Sequence, residues 1–407
     1  MDKVRKYLDT KIEPHFAKGG RYENLAPIYD LFDTIAYSPS RVTQGLCHLR
    51  DALDQKRMMI IVVMTLALPM AIGIYNIGYQ AALAASVASL DIAGWRIAVM
   101  EFLGLNVYGS SFWSNVVYGS LYFMPVLLVT LATGGFWEVL IAVLRKHEVS
   151  EGFLVTAFLI PLTMPPTVPL WQVVVATSFG VVVGKEIFGG VGYNFLNPAL
   201  TARAYLFFAY PAEMSGDAVW VAIDGYTQAT PLAVAAVSGA AGLVADYTWM
   251  DAFLGFIPGS MGEVSTLACL AGAAILIGTR IGSWHVMSFI VLGMIVAAWF
   301  LNFLAPYSEN PMFEISPMWH FVLGGYAFGL VYMATDPVSS AMTIKGKYIY
   351  GALIGVLVVF IRVINPAFPE GMMLAILFMN VFAPIIDHYV IQANVKLRLQ
   401  RYGKRQA

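Results

Sequence analysis

Long apolar runs, separated by short polar segments, cover most of this chain. A helix needs about 20 apolar residues to cross the roughly 30 Å of hydrocarbon in a bilayer. The runs predict about ten such helices, near residues 58–79, 116–144, 153–165, 168–184, 195–210, 265–281, 286–304, 319–334, 348–364 and 371–390. Several are short or contain Gly and Pro, which predicts broken helices inside the membrane. The pattern therefore predicts an all-α polytopic membrane protein.

Composition agrees with this class of protein. Hydrophobic residues make up 59% of the 407 residues and charged residues 12%, whereas soluble domains average about 25% charged residues. A net charge of −1 gives no reason to expect nucleic acid as a partner. The cysteines, Cys47 and Cys269, are too few for an iron–sulfur cluster held by cysteines of this chain alone.

Lysine and arginine indicate the side of the membrane, because cytoplasmic loops collect these residues. Ten helices that start in the cytoplasm put all Lys and Arg residues in cytoplasmic segments except Arg96, Arg203 and Arg362. Both termini are then cytoplasmic. The stretch from Tyr210 to Thr279 carries acidic residues but no Lys or Arg, so it is predicted to face away from the cytoplasm.

The same pattern divides the chain into five parts. They are a cytoplasmic extension (1–57), a first membrane part (58–210), an exported acidic segment (211–264), a second membrane part (265–390) and a basic cytoplasmic tail (391–407). Each membrane part contains five predicted helices, an odd number, so two related halves would be inverted relative to each other. The Asn-Pro-Ala triplets that start at Asn197 and Asn365 are weak sequence evidence for such a repeat.

One exported stretch has the character of a modification site. Residues 224–232 read DGYTQATPL and offer two hydroxyl groups, on Thr227 and Thr230, in a small, polar stretch between helices. From the residues alone, an ordinary exported turn is the competing interpretation.

Longer motifs connect the chain to a known family. They include GGFWEVLIAVLRKHEVSEGF at 134–153, RAYLFFAYPAEMSGD at 203–217, LGGYAFGLVYMATDPVS from residue 323 and NPAFPEGMMLAILFMNVFAPIIDH from residue 365. Over essentially the whole chain these motifs resemble the B-subunit family of the sodium-translocating NADH:quinone oxidoreductase. The related D-subunit family of the ferredoxin:NAD oxidoreductase shares the membrane part but differs at the N-terminus, where this chain reads IEPHFAKGGRYE.

The resemblance implies two flavins. A flavin transferase would join FMN through a phosphoester to Thr230, the last residue of the tetrad Thr227-Gln228-Ala229-Thr230. In this tetrad Gln228 stands where the family usually has glycine. Neighbours of the FMN within the motif would be Asp224, Gly225, Thr227 and Ala229. A non-covalent riboflavin is also implied, and the polar stretch between Lys185 and Arg203 is its predicted site. The residues of that site are Asn194, Asn197 and Arg203.

The resemblance also implies the setting. The chain would lie in the inner membrane of a bacterium, with the FMN segment in the periplasm, and would assemble with subunits A, C, D, E and F. Ubiquinone would accept electrons, and Na⁺ would be the transported ion. NADH would be oxidised by a partner subunit, because no Gly-x-Gly-x-x-Gly motif follows a strand in this sequence.

Quinone binding is predicted around paired glycines in the second apolar run. Gly134 and Gly135 would let a flat ring approach the backbone, and the family places its quinone region here. The predicted contacts are Gly134, Gly135, Phe136, Trp137, Tyr205 and Phe207. Tight packing of helices through small residues is the competing interpretation of the glycines.

Three acids in or against apolar runs are candidates for sodium uptake. A charged acid at the bilayer centre costs about 2.5–3.5 kcal/mol, so such residues suggest function. Glu138, Asp336 and Asp387 match membrane acids that the family uses for sodium, and all three lie towards the predicted cytoplasmic side. Helix-end residues at the headgroup boundary are the competing interpretation. No metal other than sodium is predicted.

Two classes of function therefore compete. The first is a redox subunit with flavin and quinone sites in a sodium pump. The second is a passive channel or transporter, because the family fold looks similar to the inverted repeats of urea and ammonium channels. A flavin-bearing threonine favours the first class, since a channel has no use for one.

Overall fold

The computed structural model describes residues 7–16, 20–22, 26, 29, 55–88, 94–106, 111–146, 152–223, 226–365 and 370–406. Within these ranges the chain forms helices and no strands. The main helices are α1 (Gln55–Ala88), α2 (Trp95–Phe102), α3 (Phe112–Arg145), α4 (Gly152–Leu162), α5 (Leu170–Val182), α6 (Pro198–Ala209), α7 (Pro231–Asp246), α8 (Trp249–Leu254), α9 (Thr266–Gly278), α10 (Trp284–Leu304), α11 (Pro317–Val322), α12 (Ile344–Ile364) and α13 (Met372–Gln406). Shorter helical turns are Leu8–Ile12, Glu13–Phe16, Glu186–Phe188, Pro211–Ser215, Ala305–Tyr307, Pro311–Glu314, Tyr326–Phe328 and Gly329–Met333.

Six helices of the described chain are long and apolar enough to cross a bilayer. They contain α1, α3, α5, α10, α12 and α13. Their apolar runs match six of the predicted spans, so the prediction of an all-α polytopic membrane protein is confirmed at this level. The basic tail continues α13 as a helix as far as Gln406.

Several other predicted spans form helices that are too short to cross alone. The helix α4 has 11 residues and is about 16 Å long at 1.5 Å per residue. After α4 the chain is not helical, and two backbone N–H groups compensate: Gly262 donates to the Leu162 carbonyl (2.7 Å) and Met261 to the Met164 carbonyl (3.0 Å). Segment 211–264 thereby satisfies carbonyls that the broken helix leaves free.

A second break divides the predicted span at 319–334. The helix α11 ends at Val322, and Gly324 and Gly325 follow with φ of +61° and +64°. The Arg362 guanidinium donates to the carbonyls of Leu323 (2.7 Å) and Gly324 (3.2 Å). A buried arginine therefore holds the ends of this break.

Segment 211–264 contains helices that the apolar runs did not predict. The structure contains α7 and α8 there, and Gly239 kinks α7 with φ of +65°. The residues that flank Thr230 explain the start of α7: Thr230 is the N-cap, and Pro231 occupies the first turn, where proline is favoured. The segment is a packed part of the protein.

One extensive cluster of buried hydrophobic residues connects the two membrane parts. Within this core α3 packs along α1, α6 along α5, and α12 along both α10 and α13. The loops that join these helices gather at two opposite ends, and each end carries one group of candidate functional residues.

Candidate functional sites

Thr230 stands at the N-terminus of α7 with its side chain partly exposed. Its Oγ1 accepts a hydrogen bond from the Ala233 backbone N–H at 3.3 Å. Thr227, by contrast, is exposed. The two threonines are therefore in different environments, and only Thr230 lies at a helix N-terminus. Asp224 and Gly225 lie outside the described residues.

Tyr247 anchors the segment that leads to Thr230. Its hydroxyl donates to the Ala229 carbonyl at 3.0 Å and lies 3.3 Å from the Gln228 amide nitrogen. Burial raises the pKa of the Tyr247 phenol above its ordinary value, so the phenol stays protonated and keeps donating. The Gln228 backbone N–H also bonds the Asp217 carbonyl (2.9 Å). Gln228 is thus a structural part of the tetrad.

A charge cluster that consists of the buried Arg203 and the partly exposed Glu263 and Glu370 lies beneath Thr230. Arg203 donates to Glu263 at 2.7 Å and also to Glu370. Burial raises the pKa of the Glu370 carboxyl, and the nearby Arg203 acts in the opposite direction. The sequence did not single out Glu263 or Glu370 for a role, because their common partner lies far away along the chain.

Two cavities open beside Thr230. One is bordered by Pro258, Glu263, Gly325 and Glu370. The other is lined mainly by apolar groups, among them Phe207, Trp220 and Met373. Thr230 and Glu370 border both cavities. A group attached to the Thr230 oxygen could enter either one.

A different cavity lies at the opposite end of the helices. Asn194, Asn197, Lys185 and Asp336 line it, together with apolar residues of α1, α4 and the turn that follows α11. Arg203 does not line this cavity. It lies six residues after Asn197, about 9 Å along α6, and points into the charge cluster beneath Thr230. The structure therefore separates Arg203 from the two asparagines with which it was grouped.

Asp336 is held at the edge of this cavity by contacts with its neighbours in sequence and with a residue from a distant part of the chain. Its carboxylate accepts hydrogen bonds from the Val338 N–H (3.1 Å), the Ser339 hydroxyl (2.9 Å) and the Asn197 amide (3.4 Å). The bond to Asn197 joins residues from the two membrane parts. Asp336 is thus the carboxylate that faces the asparagines.

The other two candidate acids are engaged by protein groups. Glu138 is buried in α3 and forms an ion pair with Lys185. Asp387 accepts hydrogen bonds from the backbone N–H groups of Met342 (2.7 Å) and Thr343 (3.0 Å). Asp387 therefore ties the start of α12 to α13, a structural contact that sequence could not predict.

The predicted quinone residues are divided among several places. Gly134 faces the ring of Phe153, and Trp137 donates to the Ser178 hydroxyl at 2.9 Å. Tyr205 stacks on Phe179, with ring centroids 4.7 Å apart, and lines an apolar groove between α6, α12 and α13. Phe136 is exposed on α3, whereas Phe207 lines the cavity beside Thr230. The structure thus does not bring these side chains into one cavity.

The paired glycines make a test possible, because they differ in their surroundings. An added Cβ at Gly134 would overlap the Phe153 ring, whereas a Cβ at Gly135 would lie 3.9 Å from the same ring. We therefore expect Gly134→Ala to lower the stability of the protein by about 1–3 kcal/mol and Gly135→Ala to leave the thermal midpoint unchanged. If Gly135 borders the quinone, its variant raises the quinone KM in steady-state assays. Normal quinone kinetics would leave Gly135 with a packing role only.

Known proteins are similar to this chain along almost its full length. The NQR2, RnfD, RnfE family matches residues 42–396. A protein from Chromohalobacter salexigens, named as the B subunit of Na(+)-translocating NADH-quinone reductase, is 56% identical over 399 residues, which cover 98% of this chain and 96% of the relative. Proteins of the same name from Pseudomonas paraeruginosa (55% over 405 residues; 98% and 100%) and Azotobacter vinelandii (53% over 402 residues; 98% and 99%) are similarly close. The resemblance seen in the motifs is confirmed.

Proposed function

Because the chain belongs to the NQR2, RnfD, RnfE family, we propose that it is the membrane subunit of a sodium-translocating NADH-quinone reductase and carries a covalent FMN. The observation that carries the FMN assignment is the position of Thr230. Its hydroxyl is partly exposed, lies at a helix N-terminus and borders two cavities. Thr227 is exposed in the segment that precedes α7.

The surroundings of Thr230 suit a phosphoester. The first N–H groups of α7 have no partners within the helix, and the positive end of the helix dipole favours a negatively charged phosphate. The apolar cavity beside Thr230 offers Phe207 and Trp220, aromatic side chains that suit a flat, apolar ring. These residues would hold the isoalloxazine. Bound flavin would supply the electron transfer.

The opposite cavity suits a second, non-covalent flavin. Its lining is mostly apolar with a few polar side chains, which is the character of sites that bind small organic ligands. Asn194 and Asn197 offer amide groups, and the lining is otherwise largely apolar. We assign the riboflavin to this cavity. Ubiquinone is assigned to the region of Gly135 and to the apolar groove at Tyr205, which suits an isoprenoid tail.

The finer architecture is part of the proposal. Ten spans in two inverted groups of five are supported by two breaks, one after α4 and one after α11, because each falls in the third predicted span of its half. The two cavities support the orientation. Asn197, Lys185 and Asp336, all near predicted cytoplasmic ends, share one cavity, whereas Thr230, Glu263 and Glu370, all predicted exported, share another. The FMN then faces the periplasm of a bacterial inner membrane.

Partners follow from this assignment. Subunits A, C, D, E and F would complete the complex and deliver electrons from NADH, and a flavin transferase would attach FMN in the periplasm. The decisive measurement is the fluorescence of this protein under ultraviolet light after denaturing electrophoresis. A fluorescent band supports the redox subunit. A band without fluorescence, from cells that contain the transferase, would favour the channel interpretation.

Sodium uptake is proposed to use Glu138, Asp336 and Asp387. We expect Glu138→Gln and Asp336→Asn to raise the sodium concentration for half-maximal quinone reduction at least about tenfold, because loss of one charged ligand costs on the order of 1.4 kcal/mol or more. The content of covalent FMN should stay unchanged, since neither residue lies near Thr230. Asp387→Asn should combine a similar shift with lower stability, because it also weakens the contacts to Met342 and Thr343.

The matched control is Glu309→Gln, which removes an exposed acid from the predicted exported side. It should leave the sodium dependence as it is in the wild type. If Glu138→Gln and Asp336→Asn also leave the sodium dependence unchanged, these acids have a structural role only.

A further inference from the structure

Four charged residues form a chain at the end of α5. Lys185 is bonded to Glu138, and its Nζ lies 3.6 Å from the nearer oxygen of Glu186. Arg145, which is partly exposed, lies 3.9 Å from the other Glu186 oxygen. Lys185, Glu138 and Glu186 are all nearly fully buried. One buried ammonium therefore stands between two buried carboxylates.

The pairing is incomplete on the side of Glu186. Among the described residues, no donor lies within hydrogen-bond distance of its Oε2, although this atom is buried. Arg145 is too distant to donate, and the ammonium at 3.6 Å is beyond a normal hydrogen bond. An unpaired buried carboxylate oxygen costs at least about 1–3 kcal/mol. The oxygen is thus available to a cation.

The backbone around this cluster favours a cation as well. The carbonyl groups in the last turn of α5, which ends at Val182, form the negative end of a helix dipole. Residues 185–190 then turn tightly, and a Cβ added to Gly190 would lie 3.6 Å from the Glu186 carboxylate. Carboxylates next to the carbonyl ends of broken helices are the surroundings in which membrane proteins coordinate Na⁺.

Lys185 also has a second environment. It lines the largely apolar cavity that contains the Asp336 carboxylate, so a displaced ammonium would find one charged acceptor there. Replacement of one ammonium by one monovalent cation keeps the charge between Glu138 and Glu186 constant. A divalent ion would not keep this balance.

We propose that Glu138 and Glu186 form a site for Na⁺ and that Lys185 is a tethered counter-ion, which occupies this site until sodium displaces it towards the Asp336 cavity. This inference rests on the proposed function for the role of sodium, but it adds Glu186 as a ligand and Lys185 as an internal competitor. The apparent affinity for sodium is then lowered by the fraction of molecules in which Lys185 fills the site.

The test replaces Lys185 by the uncharged and similarly long methionine. Lys185→Met should lower the sodium concentration for half-maximal quinone reduction at least about tenfold. In the wild type Lys185 would leave the site vacant in fewer than about one molecule in ten. The thermal midpoint and the rate of quinone reduction are measured in the purified complex as functions of sodium concentration. Choline chloride keeps the ionic strength constant. Lys345→Met, which removes an exposed lysine, is the control and should show the wild-type values.

An unchanged or raised sodium requirement in Lys185→Met overturns the proposal. If Glu138→Gln still raises the requirement in that case, the sodium role of Glu138 survives and only the tethered counter-ion fails. If Glu138→Gln has no effect, the sodium role of Glu138 fails as well.

If Lys185→Met accumulates poorly, a second pair of variants tests the proposal. Glu186→Gln and the double variant Lys185→Met/Glu186→Gln differ only at position 185. We expect the single variant to need more sodium than the wild type, and the double variant to need less than the single variant. Equal requirements overturn the proposal. Failure of the double variant to accumulate also overturns it, because Lys185 would then be required for folding whatever the charge balance.

Discussion

Thr230→Ala is expected to abolish the fluorescence of the denatured protein, because the hydroxyl that accepts the FMN phosphate is absent. The protein should still insert. Loss of an N-cap threonine costs about 1 kcal/mol, and Pro231 still favours the start of α7. Covalent flavin is measured as in-gel fluorescence relative to the amount of protein found by immunoblot. The expected change is from full fluorescence to background.

Two further variants test whether the covalent flavin depends on the Thr230 hydroxyl itself. Thr230→Ser keeps a hydroxyl at the N-cap and should retain at least part of the covalent flavin. Thr227→Ala removes an exposed hydroxyl and should leave the fluorescence unchanged. Fluorescence that survives in Thr230→Ala but disappears in Thr227→Ala would assign the attachment to Thr227.

Long apolar runs allowed the long helices to be predicted well. The run at 286–304 became α10, and the run at 348–364 lies within α12. Length and hydropathy suffice for such elements, because a helix surrounded by lipid must satisfy its own backbone. The same logic fails for shorter pieces, since α4 depends on partners from another part of the chain.

Segment 211–264 shows what such patterns do not predict. Its acidic residues and lack of Lys and Arg indicated the side of the membrane, but not the presence of α7. That helix has only 16 residues and buries Leu232 and Leu243 against the rest of the protein. Its stability comes from tertiary packing rather than from its own composition.

The candidate sites were predicted as single residues and not as arrangements. Thr230 and Asp336 lie in recognisable local motifs. Glu138 gave a signal because an acid in an apolar helix is costly, yet its partner Lys185 lies 47 residues away. Arg203 meets Glu370 across 167 residues. No local pattern encodes such pairs, so the charge cluster beneath Thr230 could be found only in the folded chain.

Arg362→Met is expected to prevent stable assembly of the membrane domain. Arg362 is fully buried and donates to four backbone carbonyls: His320 (2.7 Å), Leu323 (2.7 Å), Gly324 (3.2 Å) and Glu370 (3.0 Å). These carbonyls belong to the break after α11 and to the start of α13. Each one left without a donor costs about 1–3 kcal/mol, so their sum is comparable with the whole stability of a typical domain.

The expected result is a strong loss of this protein from the membrane fraction, measured by immunoblot at equal expression. Arg362→Lys should rescue little, because one ammonium cannot reproduce the planar fork of a guanidinium that reaches several carbonyls. The control is Arg96→Met. Arg96 is only half-buried and stacks over Tyr122 at 3.9 Å, an interaction worth about 0.5–2 kcal/mol, so this variant should accumulate. Normal accumulation of Arg362→Met would mean that the broken helix holds its shape without the arginine, and that other donors satisfy its carbonyls.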